Sequence, residues 1–296
     1  MKKRTLLIAL SSLLVAGLAL LYVNDFFLKS AVMLTEDANC RCEKNSEADV
    51  FEHPLRYIRN NYKGVCVDSC KYRYPLVIHS SKDERIISVA NTLHDEQFWV
   101  AEIPVDAITH VKVLFENFAP GINHVAFQFI FDPKHEVLLH PQSRSLLQKS
   151  TQIQSLVLSP EAAPPMDHKY NLWDGFMGNY ALMNRFVSYE TYQAMAQQLK
   201  HPLKSYRLKI NLREAQSLLS FLLLDAKSVY QNQYQLVFNN CATSVIDSTL
   251  QAKKMLRSKT WDIWDVLDPL RGIPSTQPIG TMRTLQWWGL IDTDSL

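Results

Sequence analysis

Tyr234-Gln235-Leu236-Val237-Phe238-Asn239-Asn240-Cys241-Ala242-Thr243 joins a short apolar run to two asparagines and a cysteine that opens a helix-like stretch ending near Leu250. Strand, turn and helix in that order put a thiol at a helix N-terminus. There the positive end of the helix dipole and unpaired backbone N–H groups favour a thiolate. Asn239 and Asn240 read first as turn and cap residues. Together with the backbone N–H of Cys241, they are also candidate donors to an oxyanion. The competing reading of a lone cysteine is an inert buried thiol.

Counting sets Cys241 further apart. The chain has five cysteines, and the other four lie in two close pairs, Cys40 with Cys42 and Cys66 with Cys70. In an oxidising compartment these four are expected to form two disulfides. Three pairings are open, and links between the two clusters are favoured because a bridge across one intervening residue is strained. A zinc site built from the four thiolates is the rival, although the spacings are not those of paired C-x2-C ribbons. Neither reading uses Cys241.

The compartment follows from the N-terminus. Met1-Lys2-Lys3-Arg4 precedes Thr5–Val23, a run of 19 residues with neither charge nor proline. At ~1.5 Å per residue this run spans roughly 28 Å, close to the hydrocarbon thickness of a bilayer. It reads as an uncleaved signal anchor, with residues 1–4 cytoplasmic and the rest beyond the membrane; a cleaved signal peptide is the alternative. Residues 24–84 then form a disulfide-stapled segment, and residues 85–296 form the main domain. Without Lys2, Lys3 and Arg4 the chain carries 28 basic and 29 acidic residues. That balance leaves no electrostatic footprint for nucleic acid.

Short runs rich in Val, Ile, Phe and Trp at 85–90, 97–103 and 110–115 read as strands. Residues 121–131, the turn Asp132-Pro133-Lys134 and residues 135–140 read as a β-hairpin. Residues 152–158 and 205–210 are further strands, and 188–199 and 212–230 are helices, the second capped by Asn211. The aromatic, glycine-containing stretch 173–180 reads as an ordered surface loop or the lining of a cleft. Trp287-Trp288 is expected to plug the core.

A cysteine nucleophile needs an imidazole to take its proton and a third polar group to orient that imidazole. His124, presented at the start of a strand, is the candidate base, against the alternative of a histidine satisfied by a backbone carbonyl. His140 is the candidate third group. A hairpin loop with an odd number of residues places it on the same face as His124, and an even loop on the opposite face. No H-E-x-x-H, G-x-S-x-G or phosphate-loop motif is present, and the sequence asks for no cofactor and no metal.

Ser205-Tyr206-Arg207-Leu208-Lys209-Ile210, followed by a long helix and then Tyr234–Thr243, resembles the bacterial Lnb N-terminal periplasmic domain family over roughly residues 85–290. More distantly, a strand-borne histidine, a hairpin, a helix and then strand-Asn-Cys-helix resemble the circularly permuted papain-like superfamily that includes the lecithin:retinol acyltransferases. That resemblance implies an α+β fold in which helices pack on an antiparallel sheet. It also implies Cys241 as nucleophile, His124 as base and His140 as third member. Superfamily members act on amides or esters through a thioester, as peptidases, amidases or acyltransferases.

The expectation is therefore a membrane-anchored periplasmic cysteine hydrolase or acyltransferase. Peptide, lipid and cell-wall substrates are all within its reach. The alternatives are a non-catalytic envelope scaffold that keeps the fold, and a disulfide-exchange protein using Cys66 and Cys70. Oligomeric state is left open.

Overall fold

A computed structural model of the chain describes residues 31–35, 37–40, 61–80, 85–119, 122–142, 149–166, 168–226, 230–234, 240–256 and 278–291. The expected span Thr5–Val23, Cys42 and Asn239 lie outside these residues. Among the described residues no helix is long and apolar enough to cross a membrane.

Strands β1 (Ala31–Thr35), β2 (Asn61–Tyr62), β3 (Val65–Cys66) and β4 (Leu76–Ser80) come from the N-terminal segment. They are followed by β5 (Ile86–His94), β6 (Gln97–Pro104), β7 (Ile108–Ala119), β8 (Ile122–Phe131), β9 (Val137–Pro141), β10 (Thr151–Ile153) and β11 (Ser155–Ala163). Helices then alternate with strands: α1 (Leu172–Met177), β12 (Tyr180–Ser188), α2 (Tyr189–Gln198), β13 (Leu203–Arg207), α3 (Leu212–Ala226), β14 (Tyr230–Tyr234), α4 (Cys241–Leu256) and α5 (Pro278–Trp287). The fold is α+β.

One large sheet runs β10-β9-β6-β5-β12-β11-β8-β7-β13. β4 adds to β5, and β1 reaches the sheet through β14, which lies on β12. The sheet is mixed rather than wholly antiparallel, because β5 and β12 pair in parallel. Gln154 alone separates β10 from β11, so the strand order closes a ring through β9, β6, β5, β12 and the combined β11–β10 course.

The expected hairpin over 121–140 is not formed. Ile130 faces Ser155 on β11, whereas Val137 faces Ile153 on β10. β8 and β9 are therefore laid end to end along one antiparallel course. The turn chemistry is nonetheless present, since the Lys134 N–H donates to Asp132 Oδ1 at 2.8 Å and the His135 N–H to the Asp132 carbonyl at 2.8 Å. The pairing is decided by edges. β7 occupies one edge of β8 along almost its full length, and β11 takes the other, leaving no edge for β9. A turn motif sets a local bend, while tertiary partners choose which strands pair.

Strict alternation builds two cores. Val125, Phe127, Phe129 and Phe131 of β8, with Leu156 and Leu158 of β11, face a core shared with Leu218, Leu219, Leu222 and Leu223 of α3 and Val245 and Ile246 of α4. Each such leucine is worth roughly 1.5–3 kcal/mol on burial. The intervening Ala126 and Val157, with Leu114 and Val187, face Tyr192 of α2 instead. The cap expected at Asn211 is in place, and Ser188 caps the helix that it opens. Ser188 Oγ accepts from the Thr191 N–H, and Asn211 and Glu214 cap each other's backbone N–H groups at 3.0 and 2.9 Å.

The helix expected to reach residue 230 ends at Ala226, and Tyr230 instead opens β14, where it pairs with Met33. Of the strand expected over 234–238 only Tyr234 is described, as the last residue of β14, and residues 235–239 lie outside the described residues. Trp288 packs against the larger core as expected.

The staple is a bond between the two cysteine clusters, Cys40–Cys66, and Cys70 is also disulfide-bonded. Three of the four thiolates that a zinc site would need are thereby taken. The stapled segment is hydrogen-bonded to the domain. Val67 bridges Pro165, and the Met166 N–H donates to the Cys66 carbonyl at 2.7 Å.

Candidate active site

Cys241 is the first residue of α4, which packs on β8 and β11 and so brings its N-terminus to the strand that carries His124. The cap is built by Asn240. Its Oδ1 accepts from the N–H groups of Ala242 and Thr243 at 2.9 and 3.1 Å, and Thr243 Oγ1 accepts from the Asn240 N–H at 2.9 Å. This cap occupies the Asn240 carbonyl oxygen of the side chain and fixes the first helical turn. The backbone N–H of Cys241 belongs to the first turn of α4, whose N–H groups have no intrahelical acceptor.

Cys241 is a buried free thiol. Its sulfur lies close enough to the His124 imidazole to dominate the groups that raise the ring's pKa. Burial alone would lower the pKa of His124. The Cys241 sulfur outweighs it, Glu161 and Glu116 add to its effect, and the imidazole is raised to about 9. At neutral pH the His124 ring is thus biased toward imidazolium.

The group on the other side of the ring is Ser159. Its Oγ lies 2.6 Å from His124 Nε2 and its side chain is buried on β11. The protonated ring donates to this oxygen. Ser159 and Glu161 share a strand face by alternation, and Ser159 pairs with Arg185 across β11 and β12. Arg185 Nη2 donates to Glu161 Oε1 at 2.8 Å, forming a buried ion pair behind the serine. On the other flank Glu116 pairs with His124 in register. It accepts from the Tyr192 hydroxyl at 2.8 Å and lies 2.6 Å from His201 Nδ1.

Above the thiol lie tyrosines. The buried phenol of Tyr234 is driven above its ordinary range by desolvation, then by the Cys241 sulfur and by the neighbouring Tyr170. It therefore stays protonated as a donor. The ring of Tyr170 meets that of Tyr234 edge-on at 6.3 Å and that of Tyr180 at 5.2 Å.

His140, the expected third member, is elsewhere. It pairs with Val100 on β6, Ser150 Oγ lies 3.0 Å from its Nδ1 and Glu102 lies 3.4 Å from its Nε2. Because β8 and β9 run end to end, the two histidines occupy opposite ends of one course. Cys241 and His124 are brought together, and His140 is not. Asn240 is spent on the cap, and Asn239 lies outside the described residues. Among the described residues no group of three or more His, Cys, Asp or Glu is arranged to hold a metal.

Ser159 and Tyr234 were not legible as site residues. The one signal for Ser159 is parity. Ser159 and Glu161 continue the alternation that makes Val157 a core residue, so two polar side chains follow on a face that should be apolar.

The family profile of the Lnb N-terminal periplasmic domain matches residues 95–285. No curated protein and no solved structure matches the chain.

Proposed function

Starting from the membership of the chain in the Lnb N-terminal periplasmic domain family, we propose that it is a cell-envelope cysteine hydrolase or acyltransferase acting on an amide or ester. In this reading Thr5–Val23 anchors it in the inner membrane, and the α+β domain is a circularly permuted papain-like enzyme on the periplasmic side. The observation that carries the proposal is the juxtaposition of a free, buried Cys241 at the N-terminus of α4 with His124 on β8, the strand on which that helix packs, the ring being held on its Nε2 side by Ser159.

His124 accepts the Cys241 proton, with Ser159 holding Nε2 and leaving Nδ1 for the exchange. The thiolate attacks the carbonyl carbon, forming a C–S bond and placing a negative charge on the carbonyl oxygen. The Cys241 backbone N–H and the protonated Tyr234 hydroxyl are the donors at hand for that oxyanion. On collapse the C–N or C–O bond breaks, and the His124 imidazolium gives its proton to the leaving group. Water or a second acceptor nucleophile, deprotonated by His124, then attacks the thioester and frees the thiol.

The test is acyl trapping on the full chain. Incubation with an activated ester should add one acyl group to Cys241, released by hydroxylamine and seen by peptide mass spectrometry. Cys241→Ala should abolish it, and His124→Ala should slow turnover by about 10²-fold or more. An acyl group found elsewhere, or none in the wild type, removes the reading.

A further inference from the structure

Four large hydrophobic side chains stand out of the surface within one short segment. Tyr170 is 37% exposed, Leu172 48%, Trp173 70% and Met177 52%. The segment is firmly built. Asn171 Oδ1 caps α1 by accepting from the Asp174 N–H at 2.8 Å, Asn179 Nδ2 donates to Asp174 Oδ1 at 2.8 Å, and Gly178 closes the helix in the left-handed conformation with its N–H on the Asp174 carbonyl. Trp173 and Met177, four residues apart, share one helix face. An ordered knob that displays this much apolar surface marks an interaction site.

We propose that this knob inserts into the interfacial layer of the phospholipid bilayer to which the chain is tethered. The inference rests on the anchor in the reading above and not on the thiol chemistry.

Three observations select a bilayer as the occupant. First, the path of the chain confines the knob near the apolar run. Ala31 pairs with Asn232 on β14, and the neighbouring Gln233 donates from Nε2 to the Gly178 carbonyl at the end of α1. Only eight residues lead from Val23 to Ala31, a reach of at most ~28 Å, whereas a domain of this size is about 50 Å across. The face bearing α1 is therefore held toward the membrane end of the run, and the opposite face is out of reach of it. Second, the segment's polar groups are accommodated at such a surface. Lys169 is exposed at its head, where it can meet a lipid phosphate. The Asp174 carboxylate, held below its usual range by Asn179 and then Asn171, has its hydrogen bonds made within the segment. Third, the composition is that of an interfacial contact, with tryptophan and tyrosine at headgroup depth and leucine and methionine beside them.

The knob also connects with the site. Tyr170 at its base meets Tyr234, which feels the Cys241 sulfur. Seating the knob would present the tyrosine-lined entrance to the membrane surface.

The experiment uses the full chain in vesicles of phosphatidylethanolamine and phosphatidylglycerol, with and without bromine on acyl carbons 6 and 7. Flotation reports the tether, and the wild-type minus Trp173→Phe emission isolates Trp173. Bromolipid should remove more than about half of that component, as expected at a depth of ~5–10 Å, and should do so equally in Cys241→Ala. Trp173→Phe should leave turnover of a soluble ester unchanged. A chain that floats while its Trp173 stays unquenched overturns the docking and spares the anchor. Protection from acrylamide without bromolipid quenching overturns it in favour of a protein surface. A chain that fails to float overturns the anchor and the docking together, and because acyl trapping on Cys241 is read independently, neither result bears on the nucleophile.

Discussion

His124 is where sequence and environment combine most directly. Its pKa, raised to about 9, lies above the ordinary histidine value, so the stability it contributes is full below about pH 6.5 and is lost as pH rises through about 9. The difference in urea midpoint between wild type and His124→Gln should shrink across that window. kcat should fall over the same range, because the imidazolium that protonates the leaving group disappears. Ser159→Ala removes one hydrogen bond to the ring, worth about 1–1.5 kcal/mol, and should lower kcat roughly tenfold with KM little changed. A positioning role also predicts that the alkaline limb of the pH profile moves, which loss of a merely structural serine would not cause. Ser159→Thr, which keeps the hydroxyl, should restore part of the rate. Cys241 could be singled out from the sequence by its parity among the cysteines and by its place after Asn240. Ser159 could not, because a serine in an apolar strand has no signature until the strand beside it is known.

At the scale of elements, the N-terminus of α4 determines where the sulfur points. Asn240→Ala deletes the acceptor of two backbone N–H groups and should cost about 1 kcal/mol, measurable as a lower urea midpoint. Asn240→Asp should retain most of that stability. If Asn240 serves the cap alone, Asn240→Asp should also keep the acylation of Cys241, whereas a donor required by the oxyanion would be lost with the amide. The caps at Ser188 and Asn211 were readable because capping is local chemistry between residues three apart. The hairpin at 121–140 was misread for the converse reason. Asp132-Pro133-Lys134 specifies a bend, but β7 and β11 claim both edges of β8. With β9 extending the course instead of folding back, His140 is carried to its far end, where Glu102 and Ser150 engage it.

At the scale of the whole molecule, the N-terminal segment both staples the domain and steers it. Cys40 and Cys66 enclose a loop with a sequence separation of 26, so opening it should cost about 3 kcal/mol on loop-closure grounds. Cys40→Ser combined with Cys66→Ser should lower the melting temperature by several degrees, read by circular dichroism, and should leave the larger core between the sheet and α3 intact. The sequence by itself determined the parts governed by local rules. These are the apolar run, the two cysteine clusters, the capped helices, and a cysteine opening a helix. Only the tertiary structure decided the parts governed by which edges meet. These are the parallel pairing of β5 with β12, the end-to-end course of β8 and β9, the choice of Ser159 over His140 beside His124, and the placing of Tyr170 and Trp173 near the point where the chain enters β1. The division is physical. A cap or a disulfide cluster is satisfied by residues close along the chain, whereas a strand edge is satisfied by whichever partner the whole sheet brings to it.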